Sequence, residues 1–349
     1  MKVYTCNNCQ NPLYFENSVC LNCRHAVGFD PVALTMMTLG PESGYKYCRN
    51  SEYGVCNWLL PASSESEFCI ACTLNRVIPA LDGDVNRLRW KSLEVAKHRL
   101  IYSLLRLHLP FQVAGRGGEE SIAFDFMADS PAGERVMTGH DNGIITINIA
   151  EADEAQRVRN KEELGERYRT LLGHFRHEIG HFYWDVLIRD SPRIEKFRQL
   201  FGDERRDYAS ALAAYYSNGA PAGWNQHFVS PYATAHPWED WAETWAHYLH
   251  MMDTLETAWS FGISIDPVEV DESAGISTGV LKDPYSVKDF SRLIKRWLPL
   301  CFAVNSMNRS MGHPDFYPFI LSSPVIEKLR FIHAIAGDAG DPAYKDIPG

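Results

Sequence analysis

The chain has 349 residues, 45% of them hydrophobic and 12% aromatic, and a formal charge of -10. This is enough apolar material for one large domain, or a large one with a small one, and the acidic balance gives no general attraction to nucleic acid or to an anionic membrane. The opening "MKVYTCNNCQ" lacks a secretory apolar run and the longest uncharged apolar run, "WLPLCFAV" (297–304), is too short to cross a bilayer, so a cytoplasmic protein without a membrane partner is expected.

Eight of the nine cysteines lie before residue 73, and that step in composition sets the expected boundary: a zinc-ribbon region over 1–80 and a second domain over 81–349. Cys6-x2-Cys9 and Cys20-x2-Cys23 form two knuckles, each able to offer two thiolates to one tetrahedral zinc. Cys48, Cys56 and Cys69-x2-Cys72 make a second four-sulfur set with one irregular half. In a reducing compartment such spacing reads as metal ligation rather than disulfides, and paired knuckles favour zinc over an iron–sulfur cluster. Metal would supply folding free energy that this Asn-, Ser-, Pro- and Gly-rich stretch lacks. His25 follows Cys23 but is unnecessary beside four cysteines, and Cys301 reads as packing.

From residue 82 to 110 apolar residues recur at helical spacing, with Asp82 and Asp84 as candidate caps and Pro110 as a stop. A turn at Asn142-Gly143 precedes alternating β-branched residues, a strand whose 144–149 stretch is expected to offer an edge to an extended peptide. Helices are predicted over 161–187, 203–216, 237–260, 286–308 and 323–336, and loops over 115–120 and 262–285.

"HFRHEIGHFYWDV" (174–186) carries the chemistry. Four residues turn a helix by about 400°, so His177 and His181 share a face and can hold one metal, with Glu178 beside them to take a proton from activated water. A catalytic zinc normally has three protein ligands. The downstream Gly and His of the Met-turn peptidases are replaced here by Trp184 and Leu187, so the third ligand comes from elsewhere. "HPWEDWAETWAHYLH" (236–250) supplies Glu239 and Glu243 one turn apart; we read Glu239 as the ligand and Glu243 as a carboxylate orienting a ligating histidine, while the spacing is also compatible with the reverse. Asp240 points off that face, and His174 and His247 read as packed or solvated. Tyr232, seven residues before Glu239, is a candidate for the oxyanion.

The two cysteine sets, "GHDNGIITINIAEAD", "FRHEIGHFYWDVL", "FGDERRDYASAL" and "FVSPYATAHPWEDWAETWAHYLH" together resemble the bacterial zinc-binding metallopeptidase family with an N-terminal zinc ribbon, over nearly the whole chain. The last segment is also similar to the glutamate helix of gluzincins such as anthrax lethal factor and the clostridial Pro-Pro endopeptidases. The resemblance implies an α+β fold, a mostly helical gluzincin-like domain with a small edge sheet behind a Cys-rich zinc ribbon. It implies zinc ligation by His177, His181 and Glu239, base action by Glu178 and oxyanion support from Tyr232. The expected protein is a zinc-dependent peptidase with one catalytic and two structural zinc ions and a peptide or protein substrate. One rival is a ribbon that docks a protein partner on an inert scaffold. Another is a DNA-dependent repair protease of the SprT kind, in which the ribbon follows the catalytic domain instead of preceding it. Residues 1–80 hold five Lys or Arg against six Asp or Glu, which leaves no basic footprint for nucleic acid. The sequence does not set the oligomeric state.

Overall fold

A computed structural model describes residues 2–113, 121–129, 136–163, 169–268, 275–279 and 282–339, without the side chains of 112, 113 and 160–163. The predicted loop at 115–120 lies outside the described residues. The structure is α+β, helices predominating, with a Cys-rich module at the N-terminus. It packs as two units, one from Lys2 to Phe182 and one from Tyr183 onward.

The first unit opens with short antiparallel pairs: β1 (Tyr4–Thr5) with β2 (Pro12–Leu13), β3 (Val27–Asp30) with β4 (Thr35–Thr38), and β5 (Tyr45–Tyr47) with β6 (Leu59–Pro61). Strands this short bury little, and their core is aromatic. Phe29 lies 4.7 Å from Phe15 and 4.9 Å from Trp58 between ring centroids. Gly28 makes this packing possible, because a Cβ there would stand 2.5 Å from the Asn57 carbonyl oxygen. Tyr102 of helix α1 (Asp84–Arg106) joins the same cluster, 5.3 Å from Phe15.

The α1 helix is shorter than the predicted 82–110. Gly83 is its extended N-cap and no side chain caps it; Asp84 is already helical and pairs with Arg87 instead. The helix stops before Pro110 has any effect, because His108 turns left-handed and the Leu109 amide folds back to the Leu104 carbonyl.

Behind α1 lies a five-stranded sheet of β7 (Asn75–Val77), β8 (Gln112–Val113), β9 (Ser121–Met127), β10 (Gly139–Asp141) and β11 (Ile144–Asn148), ordered β10-β11-β9-β7 with β8 also on β9. The expectation that 144–149 is an open edge is overturned. Asn142 and Gly143, both at positive φ, fold β10 back on one side of β11, and β9 pairs with its other side in parallel. Gly143 is required there, since a Cβ would collide with the Ser121 carbonyl oxygen. Helix α2 (Glu154–Glu163) follows, then α3 (Leu171–Trp184), which runs into a wider helical turn at Asp185–Arg189. The helix predicted over 161–187 is thus not one element over the described residues: its first three residues belong to α2.

The second unit holds α4 (Ile194–Phe201), α5 (Tyr208–Asn218), α6 (Pro237–Ser260), α7 (Phe290–Ser310), α8 (Ser323–Ala339) and the pair β12 (Ser264–Ile265) and β13 (Thr278–Gly279). The α6 helix coincides with its prediction, Pro237 in its first turn. The α5 and α7 helices start later than predicted because Asp207 and Asp289 cap them, accepting the Ser210 and Ser291 amides. The α8 helix runs past its predicted end at 336, through Gly337 to Ala339. No helix among the described residues is long and apolar enough to cross a membrane.

Helix α6 is the core of this unit, with Trp241, Trp245, Tyr248 and Leu249 fully buried and Tyr183 stacked on Trp245 at 5.0 Å. Asp240 is buried with them. Lys328 of α8 meets its Oδ2 at 2.6 Å and also donates to the His227 carbonyl oxygen at 2.7 Å. Burial pushes the Asp240 carboxyl up to about 7 against the pull of Lys328. Lys328→Met leaves this acid without its cation and is expected to destabilise the protein by about 3 kcal/mol in urea unfolding, most of it recovered by adding Asp240→Leu. A loss under about 0.5 kcal/mol, the range of an ordinary surface change, would contradict this.

His247, also buried in α6, has its Nδ1 2.8 Å from the Tyr317 hydroxyl and its ring against Phe319. Burial draws its pKa down to about 4. The unfolded chain takes up this proton below about pH 6.5, and the folded chain resists until about pH 4. This residue therefore costs stability as the pH falls through that window, by about 3 kcal/mol at its acid end. Denaturant melts of wild type and His247→Gln at pH 7 and pH 4.5 check this: the difference between the two proteins should narrow or reverse at the lower pH.

Candidate metal centres

The two knuckles of the first quartet are built alike. Gln10 and Arg24, each just after the second cysteine of its pair, sit at φ of 60° and 63°, and their amides donate to the Cys6 and Cys20 carbonyls at 2.9 Å. The Cys6 and Cys20 amides in turn donate to the Asn11 and His25 carbonyls, also at 2.9 Å. These loops bring Cys6 to 3.6 Å from Cys23, and Cys9 to 3.6 Å from Cys20, between sulfurs. That fits the edge of a zinc tetrathiolate, about 3.8 Å for Zn–S bonds of about 2.3 Å. The His25 backbone amide draws the Cys23 thiol down to about 5 and the Asn11 amide lowers Cys9, whereas burial lifts Cys6 to about 11. His25 stays outside the quartet, 3.4 Å from the Asn8 side chain.

The structure also brings Cys48, Cys56, Cys69 and Cys72 together, all buried, with Cys56 and Cys69 3.8 Å apart. Backbone amides serve two of the sulfurs at 3.4 Å, Cys69 to Cys48 and Trp58 to Cys56. Burial pushes the Cys56 and Cys69 thiols well up; hydrogen bonds from Cys56 and Cys69 hold Cys48 down, and those from Cys48, Cys56 and Cys69 hold Cys72 down.

Around this quartet α1 supplies three buried polar residues that the sequence reading missed. Glu94 accepts from Asn75 at 2.6 Å and Trp90 at 2.9 Å and pairs with Lys97 at 2.8 Å. His98 reaches Cys56 and Cys72. Lys97 falls in the stripe of Leu93, Leu100 and Leu104, and a lysine among apolar helix positions was the available signal.

In the HExxH helix the Nε2 atoms of His177 and His181 lie 3.2 Å apart, their rings at 81°. Two imidazoles on one tetrahedral zinc at about 2.0–2.1 Å would place these nitrogens about 3.3 Å apart. Glu178 follows His177 and is buried. His174, one turn earlier, pairs with Glu151, which also accepts from Thr138 at 2.7 Å. Burial alone would raise the Glu151 carboxyl, yet His174 holds it below its ordinary value. His140, in the β10–β11 hairpin, lies parallel to His181 at 6.3 Å and accepts the Gly143 amide at its Nε2. The sequence reading missed His140 because only a fold-level contact distinguishes it.

Glu239, Glu243 and Tyr232 belong to the second unit. His236 caps α6, accepting the Trp238 amide at Nδ1 and pairing through Nε2 with the Arg206 carbonyl, so its neutral form fits both partners; burial lowers its pKa in the same sense. Glu239 stands in the first turn, 1% exposed, and Tyr208 of α5 donates to its Oε1 at 2.5 Å. Glu243, one turn on, accepts from Ser230 at 2.5 Å. Tyr232 opens a short helical turn, its ring 5.6 Å from that of Tyr215. Tyr208 and Ser230 were not singled out in the sequence, although both lie in segments that carry the resemblance. Asp240 is turned to Lys328, as its position off the Glu239–Glu243 face requires.

Residues 86–335 match the family described as "Putative zinc-binding metallo-peptidase", and residues 3–83 match a zinc-ribbon domain. The chain belongs to this metallopeptidase family. Similar proteins include uncharacterized proteins of Mycobacterium tuberculosis and Mycobacterium bovis, each 40% identical over 348 residues, covering 99% of this chain and 98% of the relative. No solved structure matches. Family membership and the two sulfur quartets together support zinc binding.

Since the ribbon strands are too short to bury much, metal removal should unfold them. Hydrogen exchange of the metal-free chain is expected to show loss of protection at the Gln10 and Arg24 amides, regained on adding zinc; protection that survives chelation would show a ribbon that folds without metal.

Proposed function

We propose that the protein is a zinc-dependent peptidase of gluzincin type. The observation that carries this reading is the 3.2 Å approach of the two Nε2 atoms on one helix, with Glu178 between them in sequence. His177, His181 and Glu239 would hold the catalytic ion. Glu239 is chosen over Glu243 because it is the more deeply buried acid, in the first helical turn where a carboxylate is favoured by the helix dipole. Zinc at that place supplies a Lewis acid that lowers the pKa of water and polarises a carbonyl.

The chain's own residues do the rest. Glu178 accepts the proton of the attacking water and returns it to the amine as the C–N bond breaks. Tyr232 donates its hydroxyl proton in a hydrogen bond to the oxyanion of the tetrahedral species, and Glu243 orients a ligating imidazole. The substrate is a peptide or protein, the two quartets each hold a structural zinc, and the ribbon over 1–80 and the peptidase domain over 81–349 are the functional domains. Nine cysteines, none of them in a disulfide, suit a reducing, cytoplasmic setting, and the charge of -10 argues against nucleic acid as a partner.

Glu178→Gln should keep about three zinc ions per chain and lose at least about 100-fold in peptide cleavage. New N-termini in a proteome digest, compared between wild type and this variant, give the readout; equal cleavage by both ends the proposal. Glu239→Ala should lose one zinc and Glu243→Ala none, and the opposite pattern would exchange their roles.

A further inference from the structure

Helix α1 brings a fifth donor to the second quartet. The Nε2 of buried His98 lies 3.5 Å from the Cys56 sulfur and 3.9 Å from that of Cys72, close to the spacing that separates the Cys56 and Cys69 sulfurs, 3.8 Å. A structural zinc takes four ligands, so one of these five donors stands aside. Four thiolates bind zinc well, which leaves the imidazole as the spare in the intact site.

The neighbouring groups narrow what the spare can be. Lys97, as an ammonium, has no lone pair to give, and Glu94 is engaged at Oε1 by Asn75 and Trp90 and at Oε2 by Lys97. The imidazole can turn a lone pair toward the site by carrying its proton on Nδ1. Exposure then picks out the thiolate it would replace. Cys48, Cys69 and Cys72 are 0%, 1% and 4% exposed, and Cys56, the one His98 approaches most closely, is 8% exposed.

We propose that His98 is a reserve ligand that converts the second quartet from a four-thiolate site to one of three thiolates and an imidazole when the Cys56 thiolate is lost, so that zinc is retained. A peroxide is one agent of such loss: its O–O bond breaks, one oxygen passes to the Cys56 sulfur to give a sulfenic acid, and the other leaves as hydroxide. The resulting sulfur is a poor ligand, and Nε2 takes the vacated position. The inference rests on the reading that this quartet holds zinc, and the controls separate the two.

The experiment uses the full chain, with zinc counted by native mass spectrometry and cobalt substitution reporting the donor set. Cys48→Ser/Cys69→Ser, which leaves only Cys56, Cys72 and His98 as donors, should lose one zinc; if it loses none, the zinc reading of the quartet fails, independently of His98. Cys56→Ser should keep the wild-type zinc count with weakened sulfur-to-cobalt charge-transfer absorption, and His98→Phe alone should also keep it. Cys56→Ser/His98→Phe should lose one zinc. Retention by Cys56→Ser/His98→Phe, or loss from Cys56→Ser equal to that from Cys48→Ser/Cys69→Ser, overturns the proposal. A Cys56→Ser chain that does not fold counts against it too, because a retained zinc would hold the region together. On unmutated cysteines, peroxide should release zinc from Cys56-oxidised His98→Phe chains at least tenfold faster than from equally oxidised wild type; equal rates would also overturn it.

Discussion

The mutual repulsion of clustered thiolates is the constraint on which the first unit depends. Eight sulfurs gathered in two sets, with neighbours 3.6 to 3.8 Å apart, cannot all carry charge unless a cation sits among them. The strands around them, two to four residues long, offer little else to fix the chain. A zinc tetrathiolate would still carry a formal charge of about -2; in the second set backbone N–H groups face two of the sulfurs, and the buried Lys97 ammonium on the helix beside it lies 5.7 Å over the Phe126 ring. Lys97 and Glu94 in turn hold Asn75 at the start of β7, which pairs with β9. The second sulfur set, α1 and the central strand are thus links of one chain of contacts, through His98 on one side and Glu94 and Lys97 on the other.

A different constraint orders the HExxH segment. Helical spacing alone aims His177 and His181 at one point, but aim is not rigidity. The His174–Glu151 pair fixes the preceding turn, and the hairpin histidine, His140, backs the His181 ring. The hairpin's position depends on Gly143, where no side chain fits against Ser121. Thus a backbone requirement three residues from His140 helps to set the orientation of a proposed metal ligand.

What could be read from the sequence follows the range of the interaction involved. The first quartet was legible because each knuckle closes within five residues, and so was α6, whose Pro237 start and apolar run are local. The second quartet was legible as well, through its Cys69-x2-Cys72 knuckle and the two cysteines left before it, although Cys48 and Cys56 lack knuckle spacing. Glu94, Lys97 and His98 showed only as an anomaly on an apolar stripe; Tyr208 and Ser230 gave no local sign because Glu239 and Glu243 lie elsewhere in the chain, and neither did His140, whose ring lies against the distant His181. The turn at Asn142-Gly143 and the strand after it are legible in the sequence, whereas the neighbours of that strand are not: a hairpin turn has two arms, and the first, β10, is three residues long with no alternating pattern. Asp82 and Asp84 were offered as caps by residue type, but capping depends on which residue remains extended, and that residue is Gly83.

The three acids of α6 show why neighbours in sequence take separate roles. Each residue turns a helix by about 100°, so Asp240 faces a different way from Glu239 and Glu243, which share a face one turn apart. Asp240 is met by an ammonium, Lys328, and its charge is balanced within the unit. Glu239 and Glu243 are each met by a hydroxyl, from Tyr208 and Ser230. A hydroxyl orients a carboxylate and stabilises its anionic form without cancelling its charge. An oriented anion that keeps its charge is what a cation site needs, whereas an acid already locked to a lysine must first give that lysine up. By this argument Asp240 ties α6 to α8, and the ligand is to be sought on the other face of the same turn.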